Sequence, residues 1–185
     1  MSNVRFTLMV RFTIFKYKAL LGILLLYMAL AAVYSAVNPL FEAPDEVWHY
    51  GYVHWIAGGN GLAHPDDRNG AGIQQWAQEG SQPPLYYLLA GLLTAPLTGS
   101  LPPAAWDADV RYNPHAAIGN ADALGNRNHL LHGGWDDWPW RGLALGAHVA
   151  RLFSIVLGAV TVLFAWLGGR LLVPAAAVAG ESGRA

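Results

Sequence analysis

Two carboxylates and an imidazole within one helical turn can do acid/base work, and the stretch EAPDEVWHY, residues 42 to 50, offers that combination. If Pro44 opens a helix, its missing N–H is no loss and its fixed φ suits the first helical position. Asp45 and Glu46 then fall next, where free backbone N–H groups and the helix dipole favour ionised carboxylates. His49 follows Asp45 by one turn on the same face, which Trp48 and Tyr52 extend with aromatic surface. Such a pair could share a divalent cation, the one cofactor the residues leave open, or Asp45 could accept a proton from a hydroxyl while a neighbour orients it. Acids in a first helical turn are commonplace, and a lone imidazole on an aromatic face is usually structural, so spacing alone favours the bland reading. Position weighs the other way: the acids fall just beyond an apolar stretch, where a lipid-linked substrate would present its headgroup.

A second constellation is SQPPLYYLL, residues 81 to 89. The proline pair stiffens the start of an aromatic helix and pushes Gln82 into an extended conformation that could aim its amide at a ligand. Equally, the pair could do no more than mark a helix start. His115, His129 and His132 lack the one-turn spacing of a zinc helix, so surface histidines are the default expectation. The cluster WDDWPW, Trp135 to Trp140, could stack on a sugar ring or sit in a lipid headgroup layer, and a juxtamembrane tryptophan group favours the second.

The elements that must position these residues are set by hydrophobicity. The chain is 54% hydrophobic and only 12% charged, far from a soluble composition. Ala19 to Val37 is uncharged and predicts a transmembrane helix, since at roughly 1.5 Å per residue it matches a hydrocarbon core. Arg5, Arg11, Lys16 and Lys18 precede it, which predicts a cytoplasmic N-terminus over residues 1–18. A cleaved signal peptide is the competing reading, but the run exceeds the usual apolar region of roughly 7 to 15 residues and no clean A-x-A site follows. A second apolar run, Leu152 to Gly169 and closed by Arg170, predicts a return span over 149–173, with helical pattern beginning near Trp140. Trp140 and Trp166 suit interfacial anchors, and Arg151 could snorkel. Residues 174–185 then form a cytoplasmic tail.

Between the spans, residues 38–148 hold eleven of the twelve acids, all seven histidines and seven of the eight tryptophans. The fold expected is therefore all-α: two transmembrane helices joined by a large extracytoplasmic loop carrying short helices near 44–57 and 84–95. The second of these, ended by Pro96, is too short to span and should lie in the interface or pack against the outer ends of the crossings. Residues 99–139 read as loop with at most short helices. A net charge of −1 without a basic stripe argues against nucleic acid, and the absence of cysteine excludes disulfides and thiolate metal sites.

Taken together, a basic start and first span, EAPDE before an aromatic helix, QPPLYY, and ARLFSIVLGAVTVLFAWLGGRLL resemble the N-terminal part of the GT-C type polytopic glycosyltransferases. The likeness is to the bacterial aminoarabinose transferase and protein O-mannosyltransferase branch, and touches most of the chain outside about residues 99–139. It implies sugar transfer from a polyprenyl-phosphate carrier to an acceptor on the extracytoplasmic face of an inner or plasma membrane. Asp45, with Glu46 beside it, would be the catalytic base or metal ligand. His49, Gln82, Tyr86, Tyr87 and Arg151 would bind substrate, Arg151 as a phosphate neighbour. Where aminoarabinose transferases place a lysine before the proline pair, this chain has Gln82, which leaves the donor open. The match covers only the beginning of such an enzyme, so a fragment with no turnover alone is expected, with the later spans as a separate partner chain. The alternative is a non-catalytic two-span protein whose aromatic loop binds a glycan, lipid headgroup or membrane partner, and a degenerate remnant is the third reading.

Overall fold

The computed structural model describes residues 2–64, 75–116 and 128–172, with backbone alone for residues 2–16, Ala77 and Pro103. The tail expected over 174–185 lies outside the described residues. Five α-helices follow in order: α1 Ser2–Val37, α2 Glu46–Ala57, α3 Leu85–Thr98, α4 Pro103–Asp109 and α5 Gly142–Leu172, with a 3-10 turn at Ala77–Ser81. No β-strand occurs among the described residues, where Tyr112 and Leu130 form one isolated antiparallel bridge.

The chain divides into two units, one of residues 1–34 and 154–185, the other of residues 35–153. Two stretches, which run from the first unit into the second, are long and apolar enough to cross a bilayer: Tyr17–Val37, and α5 from Gly142 to Leu172. Large apolar side chains, among them Leu25, Leu26, Leu30, Val33, Val160 and Phe164, are exposed, as lipid-facing residues would be. The helices run antiparallel. Near one end, the Tyr27 hydroxyl donates to the Ile155 carbonyl at 3.2 Å, and a side chain at Gly158 would strike that same hydroxyl. At the other, Tyr17 meets Trp166 at 5.6 Å and the Arg170 guanidinium lies 4.7 Å from the Trp166 ring centre. Cation–π contact of this kind suits a headgroup region, where the ring is amphipathic and the charge remains near water.

The second unit is built on α2 and α3. On α2 the buried residues Val47, Tyr50, Gly51, His54 and Ala57 recur at helical spacing. The facing positions of α3 are Tyr87, Ala90, Gly91, Thr94 and Thr98, mostly small, which lets the two backbones approach. A Cβ at Gly91 would sit 2.6 Å from a methyl of Ile56, and one at Gly99 would sit 2.6 Å from the Ala57 carbonyl. The first turns of α5 close the core through Leu143, Ala144, Ala147 and Ala150, while Gly146 makes room for the Tyr50 hydroxyl and Thr98. Phe41, Tyr50 and Trp106 stack in its centre, with Phe41 also meeting Trp135 at 6.1 Å. Burying an aromatic of this size contributes roughly 1.5–3 kcal/mol.

Two boundaries differ from expectation. Pro44 lies in a turn and α2 begins at Glu46, because Asp45 has a left-handed backbone, φ 61° and ψ 0°, that breaks the helical path before it. Pro96 does not end α3, which continues to Thr98, since near a helix end the loss of one backbone donor is tolerable. The hydroxyls of Thr94 and Thr98 bond back to the carbonyls of Ala90 and Thr94, so they need no outside partner. By contrast, α5 starts at Gly142, close to the start expected near Trp140, and its residues 142–153 belong to the second unit.

Candidate functional site

The turn leading into α2 is held by one guanidinium. Arg151 donates from Nε to Glu46 Oε1 at 2.5 Å and from Nη2 to Glu46 Oε2 at 2.7 Å, the planar fork matched to both carboxylate oxygens. Its remaining N–H groups reach the carbonyls of Ser35, Asn38 and Pro39 at 2.7, 2.9 and 3.1 Å. Glu46 Oε2 also accepts the Phe41 N–H at 2.9 Å. Phe41 is itself left-handed, φ 65°, which a bulky residue adopts only when its surroundings enforce it. Here they do: its ring is buried against Tyr50, Trp106 and Trp135.

Glu46, expected beside Asp45 as base or metal ligand, and Arg151, expected as a phosphate neighbour, are bonded to one another and to the turn. Asp45 is the residue the turn leaves over. An aspartate at an N-cap ordinarily has an extended backbone and turns its carboxylate onto the helix N–H groups. At φ 61° Asp45 makes no side-chain cap; its backbone carbonyl instead accepts the N–H groups of Trp48 and His49, both at 3.0 Å. The carboxylate is left exposed.

His49 does not pair with Asp45 as the one-turn spacing suggests. Its Nδ1 lies 2.8 Å from the Tyr87 hydroxyl, and that hydroxyl donates to Glu79 Oε2 at 3.4 Å. With its proton directed at Glu79, the Tyr87 hydroxyl is left to accept from His49 Nδ1–H. The His49 side chain is 45% exposed and that of Glu79 only 2%. Glu79 Oε2 lies 3.4 Å from both the Tyr87 hydroxyl and His49 Nδ1, so a buried carboxylate meets the phenol and the half-exposed imidazole together, an arrangement able to orient a proton acceptor. The Tyr87 hydroxyl is pushed well above its ordinary value, first by burial and then by the Glu79 charge, so it stays protonated.

The proline element and α2 thus meet through Tyr87 and Glu79 rather than through Gln82. Gln82 is exposed and extended, ψ 156°, as its place before proline dictates, and its N–H closes the 3-10 turn on the Glu79 carbonyl at 3.0 Å. Tyr86 stacks on Phe153 at 5.9 Å and abuts Tyr87 edge-on at 5.4 Å. Tyr87, expected to bind substrate, is buried. Among the described residues no group of three or more histidine, aspartate and glutamate side chains is placed to hold a metal ion.

Sequence reasoning missed a second polar cluster. The His132 imidazole bridges two carboxylates, with Nε2 at 2.9 Å from Glu42 Oε1 and Nδ1 at 2.6 Å from Asp136 Oδ2. Glu42 also accepts the N–H groups of His129 and Leu130 at 2.8 and 3.0 Å. Burial alone would raise the Glu42 carboxyl, but those backbone donors and the imidazole outweigh it and hold it below its ordinary range. Burial likewise opposes charge on His132, yet the bonds to Glu42 and Asp136 prevail and raise its pKa. Its partners lie far apart in sequence, so nothing local announced it, although the His132 to Asp136 spacing of one turn was a usable hint. His115 and His129 are exposed. His54 is buried, and burial lowers its pKa.

Scans against protein-family models, curated proteins and solved structures returned no match to this chain.

Proposed function

We propose that this chain carries the first extramembrane unit of a membrane glycosyltransferase, one that takes a sugar from a polyprenyl-phosphate carrier on the extracytoplasmic face. The carrying observation is the turn before α2, in which Arg151 and Glu46 fix a left-handed backbone and leave the Asp45 carboxylate uncapped and exposed. Strained non-glycine backbone held by a dense bonding network is a feature of ligand-contacting turns, because strain persists only where its surroundings enforce it. On this reading Asp45 accepts the proton of an acceptor hydroxyl as that oxygen attacks the anomeric carbon with inversion. The bond from that carbon to the phosphate oxygen breaks, and the polyprenyl phosphate leaves with the electron pair. His49, backed by Tyr87 and Glu79, orients the hydroxyl, and Gln82 offers uncharged hydrogen bonds to the donor. Two apolar helices support residence in a membrane, and the four basic residues before the first support a cytoplasmic N-terminus.

The rival reading, a non-catalytic two-span protein whose loop binds a glycan, headgroup or membrane partner, is favoured by Trp138, which is 76% exposed and meets Trp140 edge-on. Asp45→Asn decides between them. In native membranes supplied with radiolabelled polyprenyl-phosphate sugars, the transferase reading expects transfer to fall by about 100-fold or more with tryptophan emission unchanged. Undiminished transfer would remove Asp45 from its role.

A further inference from the structure

Helix α3 is amphipathic in an inverted sense. Its small and hydroxyl residues face α2, and its leucines face outward. Leu85, Leu88, Leu89, Leu92, Leu93 and Leu97 recur at three- and four-residue steps along one exposed stripe, Leu92 being 71% exposed. A contiguous apolar face of this kind marks a docking surface.

We propose that the occupant is the hydrocarbon edge of a lipid leaflet, with α3 lying along the membrane. Four observations choose lipid over a protein partner. The unit that carries α3 is tied at both ends, through Ser35 and Phe153, to apolar helices long enough to span a bilayer. Tyr86, in the first turn of α3, stacks on Phe153, the last residue of its unit before the exposed apolar stretch of α5. From Gly80 to Trp106 no side chain is charged, whereas a protein-docking rim is normally polar and a lipid edge penalises charge. The two threonine hydroxyls are satisfied within the helix, as a lipid-immersed helix requires. At 14 residues α3 spans about 21 Å, too little to cross a core of roughly 30 Å, so a surface position is what its length permits. The proposal needs membrane residence and is independent of the transferase chemistry.

The chain has no cysteine, which makes the test clean. The full chain carrying Leu89→Cys or Leu92→Cys, and separately Arg111→Cys at an exposed charged position, is labelled with an environment-sensitive fluorophore. It is then reconstituted in phosphatidylcholine vesicles with and without brominated acyl chains. Labels at 89 and 92 should be quenched at least about twofold by the brominated lipid, and the label at 111 should not. Unchanged emission of the buried tryptophans checks that each variant is folded. Labels at 89 and 92 that are untouched by bromine but quenched by aqueous iodide would overturn the proposal. So would labels protected from both quenchers that show energy transfer between copies, since the stripe would then be covered by a second chain.

Discussion

At the residue scale, the chain distributes its charges between holding a turn and presenting a group. Arg151 makes bonds to three carbonyls and both oxygens of Glu46, and both side chains are largely out of water. Removing one partner of such a pair strands the other, so Arg151→Met should destabilise the loop unit by about 3 kcal/mol in urea unfolding followed by tryptophan emission. Arg151→Lys should recover only part of this, because an ammonium cannot form the fork. The His132 bridge predicts a pH dependence. Its raised pKa means that the imidazolium contribution is complete below the ordinary 6.5 and fades as pH rises through the raised value. Glu42 works in the other direction, complete above its ordinary 4.5 and lost as pH falls through its lowered value. The clasp is therefore strongest between 4.5 and 6.5. The stability gap between the native chain and His132→Gln should accordingly narrow from about pH 6 to about pH 9; a constant gap would mean the bridge carries no charge.

At the element scale, glycine placement shows where backbones meet. A Cβ at Gly51 would run into the backbone carbonyl of Gln75, whereas Gly168 has open space around it. Gly51→Ala should cost about 1–3 kcal/mol because rigid backbone must move. Gly168→Ala should be neutral or stabilising by up to about 1 kcal/mol, since alanine is the better helix former. Thermal unfolding of the two variants in micelles separates these outcomes. Helical character was legible from periodicity and hydropathy, because α2, α3 and the apolar stretches each bury or expose residues at regular spacing. Their ends were harder to read. Pro44 suits a helix start in isolation, but the Arg151 network fixes the turn one residue later, and Pro96 was tolerated in the last turn of α3. The 3-10 turn carrying Glu79 left no periodic signal, and so the buried carboxylate behind Tyr87 went unseen.

At the scale of the whole molecule, long-range pairing decides what the local pattern cannot. Residues 42 and 132 are joined by His132 and Glu42, and residues 46 and 151 by a guanidinium fork, across separations that no window of sequence spans. The residue types were legible and their partners were not: EAPDE, Tyr87 and Arg151 were visible as chemistry, while the structure alone distinguishes the exposed Asp45 from the engaged Glu46. The functional account depends on which side of the membrane Asp45 occupies. Positive flanks predict a cytoplasmic N-terminus and hence an extracytoplasmic Asp45. The direct measurement is labelling of Asp45→Cys and Ser2→Cys, each the single cysteine of its chain, with a membrane-impermeant maleimide on intact cells. With Asp45 on the extracytoplasmic side, residue 45 reacts at once and residue 2 only after permeabilisation. Reaction of residue 45 only after permeabilisation would contradict that placement.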